Sequence, residues 1–275
     1  MSNKVSFIFK AIDQFTRVGS KINKSVVNTT KKFRKMRADS RKTNAQMKKT
    51  SRGIAGAFGK MAVAAGSFFS IISAVNIGAR FQDAIAELSA ITGAAGLDLK
   101  FMSDEVLRLS KVSAISQEVV AKAFTDIASA KSELLKDPKA LSRITEQALL
   151  LANAAGIDVP SAVQASVGAL NQFNKGADDA ARFTNVLAAA SKVGAAQVND
   201  IVLSLKNAGT VASRFNVTFE ETNALVQVRA KNGVKGAEAG TALRGSLVKL
   251  EKIAGGRFAP SRIGIVKSLE AIQKL

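Results

Sequence analysis

Residues 223–250 read NALVQVRAKNGVKGAEAGTALRGSLVKL, and their spacing decides the fold class. Leu225, Val226 and Val228 precede a break, and Leu243, Leu247 and Leu250 recur three and four positions apart after it, the period of a helix. Between them stand Asn232, Gly233, Gly236 and Gly240. Glycine permits the left-handed backbone that ends a helix and lets a second helix approach closely. The stretch therefore predicts a helix, a glycine-rich elbow and a second helix. A glycine cluster ahead of a helix can also cradle phosphate, but that chemistry needs Gly-Lys-Ser/Thr after a strand, and neither is present here.

The composition extends this reading to the whole chain. Among 275 residues, 47% are hydrophobic, yet the aromatics are 15 Phe alone, and Trp, Tyr, Cys and His are absent. Pro138, Pro160 and Pro260 are the only prolines. Alanine and glycine are abundant, which favours helices packed through small residues, and no alternating Val/Ile/Tyr/Thr pattern of a sheet runs for any useful length. The expected class is all-α: a long basic amphipathic helix, an apolar helix, then a compact multi-helix domain. Without cysteine there are no disulfides or thiolate metal sites, and without histidine the commonest general base is missing. No secretory signal is visible at the N-terminus.

Of the net charge of +19, +14 falls on residues 1–60, which hold 16 Lys/Arg against Asp13 and Asp39. Residues 1–12 alternate apolar and polar, as a short strand or extended lead-in would. From Asp13 the period becomes helical, with Phe15, Val18, Ile22 and Val26 on a narrow stripe and Phe33, Met36 and Met47 beyond. The rest of this arm is basic, densest at Lys31, Lys32, Arg34, Lys35, Arg37, Arg41, Lys42, Lys48 and Lys49. Three readings are open for it: a coiled-coil face or one opposed to an acidic protein channel, an anionic membrane, and nucleic acid. Stacking aromatics are missing, which weighs against the last.

Residues 61–79 carry no charge and lie between Lys60 and Arg80. Nineteen uncharged residues reach bilayer-spanning length, which makes Met61, Phe68, Phe69, Ile71, Ile72 and Val75 a candidate membrane segment. Gly66, Ser67, Ser70, Ser73, Asn76 and Gly78 dilute it, so a buried helix–helix seam fits as well.

Beyond Phe81 the spacing predicts helices at 81–92, 98–112, 116–134, 138–155, 159–173, 177–192, 197–213, 219–231 and 236–253. Elbows recur at Ala94-Ala95-Gly96-Leu97-Asp98 and Ala154-Ala155-Gly156-Ile157-Asp158, with looser versions at Val193-Gly194-Ala195 and Asn232-Gly233-Val234. Their spacing is uneven, which argues against a true solenoid. Asp158 with Pro160 reads as one helix start and Thr218 with Glu221 as a capping box. The expected core is Leu88, Ile91, Leu107, Phe124, Ile127, Leu149, Leu150, Val163, Val167, Leu170, Phe183, Val186, Leu187, Ile201, Leu205, Leu225 and Leu247. The expected division is an arm (1–60), an apolar helix (61–80), a helical domain (81–255) and a loop with a short helix (256–275).

The run from Asn232 to Arg244, through Gly233, Gly236, Gly240 and Thr241, resembles the signature of the core region of phage tail tape measure proteins. FQDAIAELSAITGAAG at 81–96 resembles that family's opening motif, and Leu150–Asn171 and VLAAA at 186–190 fit in the same order. The resemblance covers roughly residues 75–255. It implies a structural protein that sets tail length inside the tail tube, with the tube protein, tail assembly chaperones and the baseplate hub as partners and several copies together. It implies a place in the tail lumen of the virion, in the host cytoplasm during assembly, and at the host membrane if the apolar segment enters it during genome delivery. Many members continue for hundreds of residues, some into a cell-wall hydrolase. This chain departs from the pattern after Gly255 and is expected to stop early. Two other readings stay open: a membrane-active basic protein that inserts 61–79, and a basic nucleic-acid-binding protein.

Candidates for chemistry are few. Asp104/Glu105, Asp178/Asp179 and Glu220/Glu221 are adjacent pairs, and neighbours on a helix point about 100° apart, so they make poor shared acid–base sites. They read as N-terminal helix charge. Neither enzyme activity, a cofactor nor a metal is expected.

Overall fold

The computed structural model describes residues 68–273 together with Lys21, Lys24, Asn28 and Lys31. Those four are helical and exposed. The remaining described residues form eleven α-helices and three short 3-10 turns, with no strand among them. Helices α1 (Phe68–Thr92), α2 (Gly96–Ser113) and α3 (Gln117–Ala130) are followed by α4 (Pro138–Ala155), α5 (Val159–Gln172) and α6 (Ala180–Val193). Then come α7 (Val198–Arg214), α8 (Phe219–Lys231) and α9 (Gly236–Lys252), and two short helices, α10 (Pro260–Ile263) and α11 (Ile265–Gln273).

Left-handed residues end these helices. After α1, α4 and α7 they are Gly93 (φ 67°), Gly156 (66°) and Asn216 (57°). After α2, α5 and α8 they are Ala114 (58°), Asn174 (50°) and Gly233 (85°). In four of the six, the next amide reaches back to a carbonyl five residues earlier: Ile157 to Ala152 (3.1 Å), Lys175 to Leu170 (2.8 Å), Val217 to Ala212 (2.9 Å) and Val234 to Arg229 (3.2 Å). That bond satisfies carbonyls orphaned at the helix end and turns the chain. Helix starts are marked as clearly. The carboxylates of Asp137 and Asp158 accept from the amides of Ala140 (2.9 Å) and Ser161 (2.7 Å), ahead of Pro138 and Pro160. Thr218 and Glu221 form the predicted reciprocal cap.

Equivalent closures recur about 60 residues apart, and they divide residues 68–252 into three units of three helices. Within each unit the first helix packs against the third: α1 on α3, α4 on α6, and α7 most closely on α9. Successive units meet where α2 lies on α4 and α5 lies on α7. The first and third units make no substantial contact. Burial follows the repeat. Ile144, Thr145, Ala148, Leu149 and Ala152 of α4 are buried, and so are the corresponding Ser204, Leu205, Ala208, Gly209 and Ala212 of α7.

Polar ties cross the junctions. Between the first two units the Glu105 carboxylate accepts from Arg108 (2.7 and 2.8 Å) and Ser142 (2.5 Å), while Arg108 reaches Glu146 (3.3 Å). The Lys131 ammonium is buried against Asn171 Oδ1 (3.0 Å) and the Glu133 carboxylate (2.5 Å). Between the second and third units Phe183 stacks on Phe219 (centroids 4.0 Å, planes 5° apart), with Phe173 edge-on to both. Arg182 lies 5.0 Å over the Phe183 ring and pairs with Asp179 and Glu220, each at 2.8 Å. The Gln227 amide, from α8, accepts from the Ala196 N–H (2.8 Å) and donates to the carbonyls of Ala190 (3.2 Å) and Ala196 (3.1 Å), fastening the α6–α7 turn.

The all-α expectation holds, with several corrections. The helix expected at 81–92 is continuous with the apolar one expected before it, since the chain is helical from Phe68 through Thr92 with no break at Arg80. The helix expected at 116–134 stops at Ala130, where the buried Lys131 turns inward, and Ser132–Lys136 is a 3-10 turn. Gly194 is extended rather than left-handed (φ −99°, ψ −179°). It is there for space, since a Cβ would lie 2.0 Å from Gln227 Oε1. The elbow spacing, uneven when read from glycine, becomes regular once Asn174 and Asn216 are counted and Gly194 is not. Ile91 is exposed at 46%, and Leu107, Leu150 and Leu225 are only half-buried. The other expected core residues are buried. Asp104 and Glu105 stand in the middle of α2, where they face Lys100 and Arg108, and not in a first turn.

Two stability predictions arise from these ties. Gln227→Ala removes the partner of the buried Ala196 amide and bonds to two carbonyls, of which Ala190 keeps the Gly194 N–H, and leaves a cavity, so urea unfolding should show a loss of about 2–4 kcal/mol. Burial raises the Glu105 carboxyl, but the hydrogen bonds from Arg108 and Ser142 outweigh it and hold the group below its ordinary value of 4.5. A depressed carboxyl contributes stability above that ordinary value and loses it as pH falls through the folded one. The urea midpoint of Glu105→Gln should therefore lie below that of the parent at pH 7, with the gap closing as the pH drops below about 4.

Candidate functional site

The elbow singled out in the sequence joins α8 to α9 and lies against α7. Asn232 caps α8 and donates from Nδ2 to the Val228 carbonyl (2.8 Å). Gly233 turns the chain, and Gly236, also left-handed (φ 58°), begins α9. The Ser204 hydroxyl on α7 lies 2.7 Å from the Gly236 carbonyl oxygen and 2.8 Å from that of Asp200, and donates to one at a time. Three residues on, the Asn207 amide donates to the Ala237 carbonyl (3.0 Å) and Thr241 Oγ1 (3.2 Å). At Gly240 the two backbones come closest: a Cβ there would stand 2.3 Å from the Ser204 carbonyl oxygen. Arg244 is exposed on the outer side of α9.

These distances say what the elbow does. Gly236 and Gly240 share the α9 face that meets Ser204 and Asn207, and the Gly-to-Gly interval of four residues matches one helical turn. Their missing side chains make room for α7, and the donors from α7 satisfy carbonyls in the first turn of α9. The two glycines are occupied by helix packing. Asn232, Gly233 and Thr241 remain at the surface, so the elbow presents a closely held, mostly polar edge.

The other sequence-level candidates are placed as follows. Phe68, Phe69, Ile71, Ile72 and Val75 belong to α1, whereas Met61 lies outside the described residues. Among the described residues no helix is long and apolar enough to cross a membrane, because α1 runs on into Arg80, Asp83 and Glu87. That finding does not support a transmembrane helix. Of the basic arm, Lys31 is helical and exposed, while Lys32, Arg34, Lys35, Arg37, Arg41, Lys42, Lys48 and Lys49 lie outside the described residues. The adjacent carboxylates are engaged: Asp178 with Arg143 (3.3 Å), Asp179 and Glu220 with Arg182, and Glu221 in the Thr218 cap. Among the described residues no group of three or more carboxylates is placed to hold a metal ion. Sequence reasoning missed Ser204, Asn207 and Gln227, since a buried polar residue on a helix gives no local signal of its distant partner.

A paired substitution separates close packing from helix propensity. Gly240→Ala should cost about 2–4 kcal/mol in urea unfolding through the clash with Ser204. Gly245→Ala, exposed on the same helix with nothing within 4 Å, should be neutral or stabilising by about 0.5–1 kcal/mol.

With this geometry in view, comparison with known proteins gives an ordered picture. The chain is 28% identical over 180 residues to the tape measure protein of Pneumococcus phage Dp-1, which covers 66% of this chain and 15% of that protein. It is 23% identical over 154 residues to a probable tape measure protein of Clostridium phage phiCD119, covering 56% and 16% respectively. The match thus spans about a sixth of the length of these curated relatives. No solved structure matches. A family model described as phage-related minor tail protein matches residues 103–273, from the middle of α2 to the end of α11, and well over half of the chain, so the chain belongs to the phage-related minor tail protein family.

Proposed function

We propose that this chain is the core-bearing portion of a tail tape measure protein. The observation that carries the reading is the 180-residue match to a phage tape measure protein, within a chain whose described part is helices and turns with no strand. A ruler works by length: helix rises about 1.5 Å per residue, and tube subunits add until the ruler is covered, so 275 residues of continuous helix would span about 410 Å. The three folded units are far shorter than their helices laid end to end. In this reading they form a docking body at one end of the ruler, and the basic arm (1–60) supplies extended helix.

The division of labour proposed is the arm as ruler and association segment, residues 61–80 as an apolar connection, 81–255 as the helical core with its elbow at Asn232–Arg244, and 256–275 as a closing segment. The partners that fit are the tail tube protein around the arm, assembly chaperones before the tube forms, and the baseplate hub at the folded body, with several copies side by side. Its place is the tail lumen of the virion. The role is structural, with no reaction assigned to any residue, and host-membrane contact during genome delivery would fall to the apolar connection.

An in-frame deletion of 20 residues within 13–60 should shorten tails by about 30 Å in electron micrographs of the mutant phage. Tails of unchanged length would remove the ruler role from the arm and leave it a binding segment.

A further inference from the structure

The packing that joins the three units stops at both ends of the array. At each internal seam the second helix of one unit lies on the first helix of the next, α2 on α4 and α5 on α7. Among the described residues α1 has no second helix before it, and α8 has no first helix on it, since α10 and α11 make no substantial contact with α8. Burial records both gaps. Counting back from Ala114, Asn174 and Gly233 aligns the second helices. Leu109 of α2 and Ala169 of α5 are buried, but their counterpart Val228 in α8 is only half-buried, and Lys231 beyond it is exposed. Counting back from Gly93, Gly156 and Asn216 aligns the first helices. Ala148 and Leu149 of α4 are buried, as are Ala208 and Gly209 of α7. Their counterparts in α1, Ile85 and Ala86, are half-buried and exposed, although α3 is in place against α1.

The first internal seam supplies a register for these two ends. There Ser142 donates to the Glu105 carboxylate (2.5 Å), Arg108 to Glu146 (3.3 Å) and Asn153 to the Ser113 carbonyl (2.9 Å), so α2 and α4 run in the same direction. The same register laid on α8 and α1 sets Val228 over Ile85 and Ala86. It sets Lys231, in the basic last turn of α8, opposite Glu87, with Asp83 one turn away. Apolar faces apolar and cation faces anion, and all three charged residues are exposed. Two α1 flanks laid antiparallel on each other would instead bring Asp83 against Glu87. The charges therefore favour unlike ends meeting.

We propose that copies of this chain associate end to end, with α8 of one copy lying on α1 of the next in the register that α2 takes on α4. Val228 covers Ile85 and Ala86, and Lys231 pairs with Glu87. The contact is heterologous: each copy presents both halves, so association extends beyond two copies. The inference rests on how the units pack and is independent of the tape measure reading.

Sedimentation velocity of the full chain at low salt should show dimers, trimers and longer species that grow with concentration. Glu87→Lys and Lys231→Glu should each weaken this association about tenfold, because like charges then face each other across the joint. An equimolar mixture of the two variants should regain most of the parent's association, since each joint between unlike variants again holds one lysine and one glutamate. Both positions are exposed, and circular dichroism of each variant checks that the helices are intact. A parent that stays monomeric, a series that stops at the dimer, variants that associate as the parent does, or a mixture no better than its components would each overturn the proposal.

Discussion

The architecture depends on a left-handed residue standing at a fixed place after the first and second helices of each unit. A residue with positive φ cannot continue an α-helix, and the amide behind it bonds a carbonyl five positions back, as at Gly156, Asn174, Asn216 and Gly233. The closure fixes both where a helix stops and the direction in which the chain leaves. Repeated about every 60 residues, it sets the angle between consecutive helices three times over, and five buried positions of α4 recur in α7.

Small residues turn that geometry into cohesion. Where helices meet through Ala and Gly their backbones approach until the side chains of one can bond the main chain of the other. Ser204 and Asn207 do so at the start of α9, and Gln227 does so at the α6–α7 turn. The Ser204 and Gln227 bonds each have a glycine opposite, Gly240 and Gly194, so glycine and buried polar side chain work as a matched pair. Large side chains gather at the seam between the second and third units, where Phe173, Phe183 and Phe219 fill the space under the Arg182 ion pairs.

Much of this was legible in the sequence. Helix period and end signals gave α4, α5, α8 and α9 almost to the residue, because Asp158–Pro160, Thr218–Glu221 and Gly233 act on their own neighbours. The repeat was hidden because asparagine serves as the left-handed residue at 174 and 216 while the conspicuous Gly194 is extended. Local chemistry announces a helix end, but it does not distinguish a glycine needed for its φ from one needed for its lack of volume. Ile91 failed as a core residue for a related reason: its spacing fits an apolar stripe, but the face it lies on has no neighbour in the fold. In the elbow, the glycines were readable and their partners on α7 were not, since those lie about 30 residues away in the chain.

Units that touch only their neighbours carry a mechanical consequence. Stability in such an array is a sum over units and the seams between them, so the units can open one at a time. The seam between the first two units joins the ties of Glu105 and Glu146 to the apolar core, while the second adds the aromatic stack. A chain pulled from its basic end would therefore give way in steps. Each step would release a similar contour length, about 200 Å for 60 residues drawn out straight.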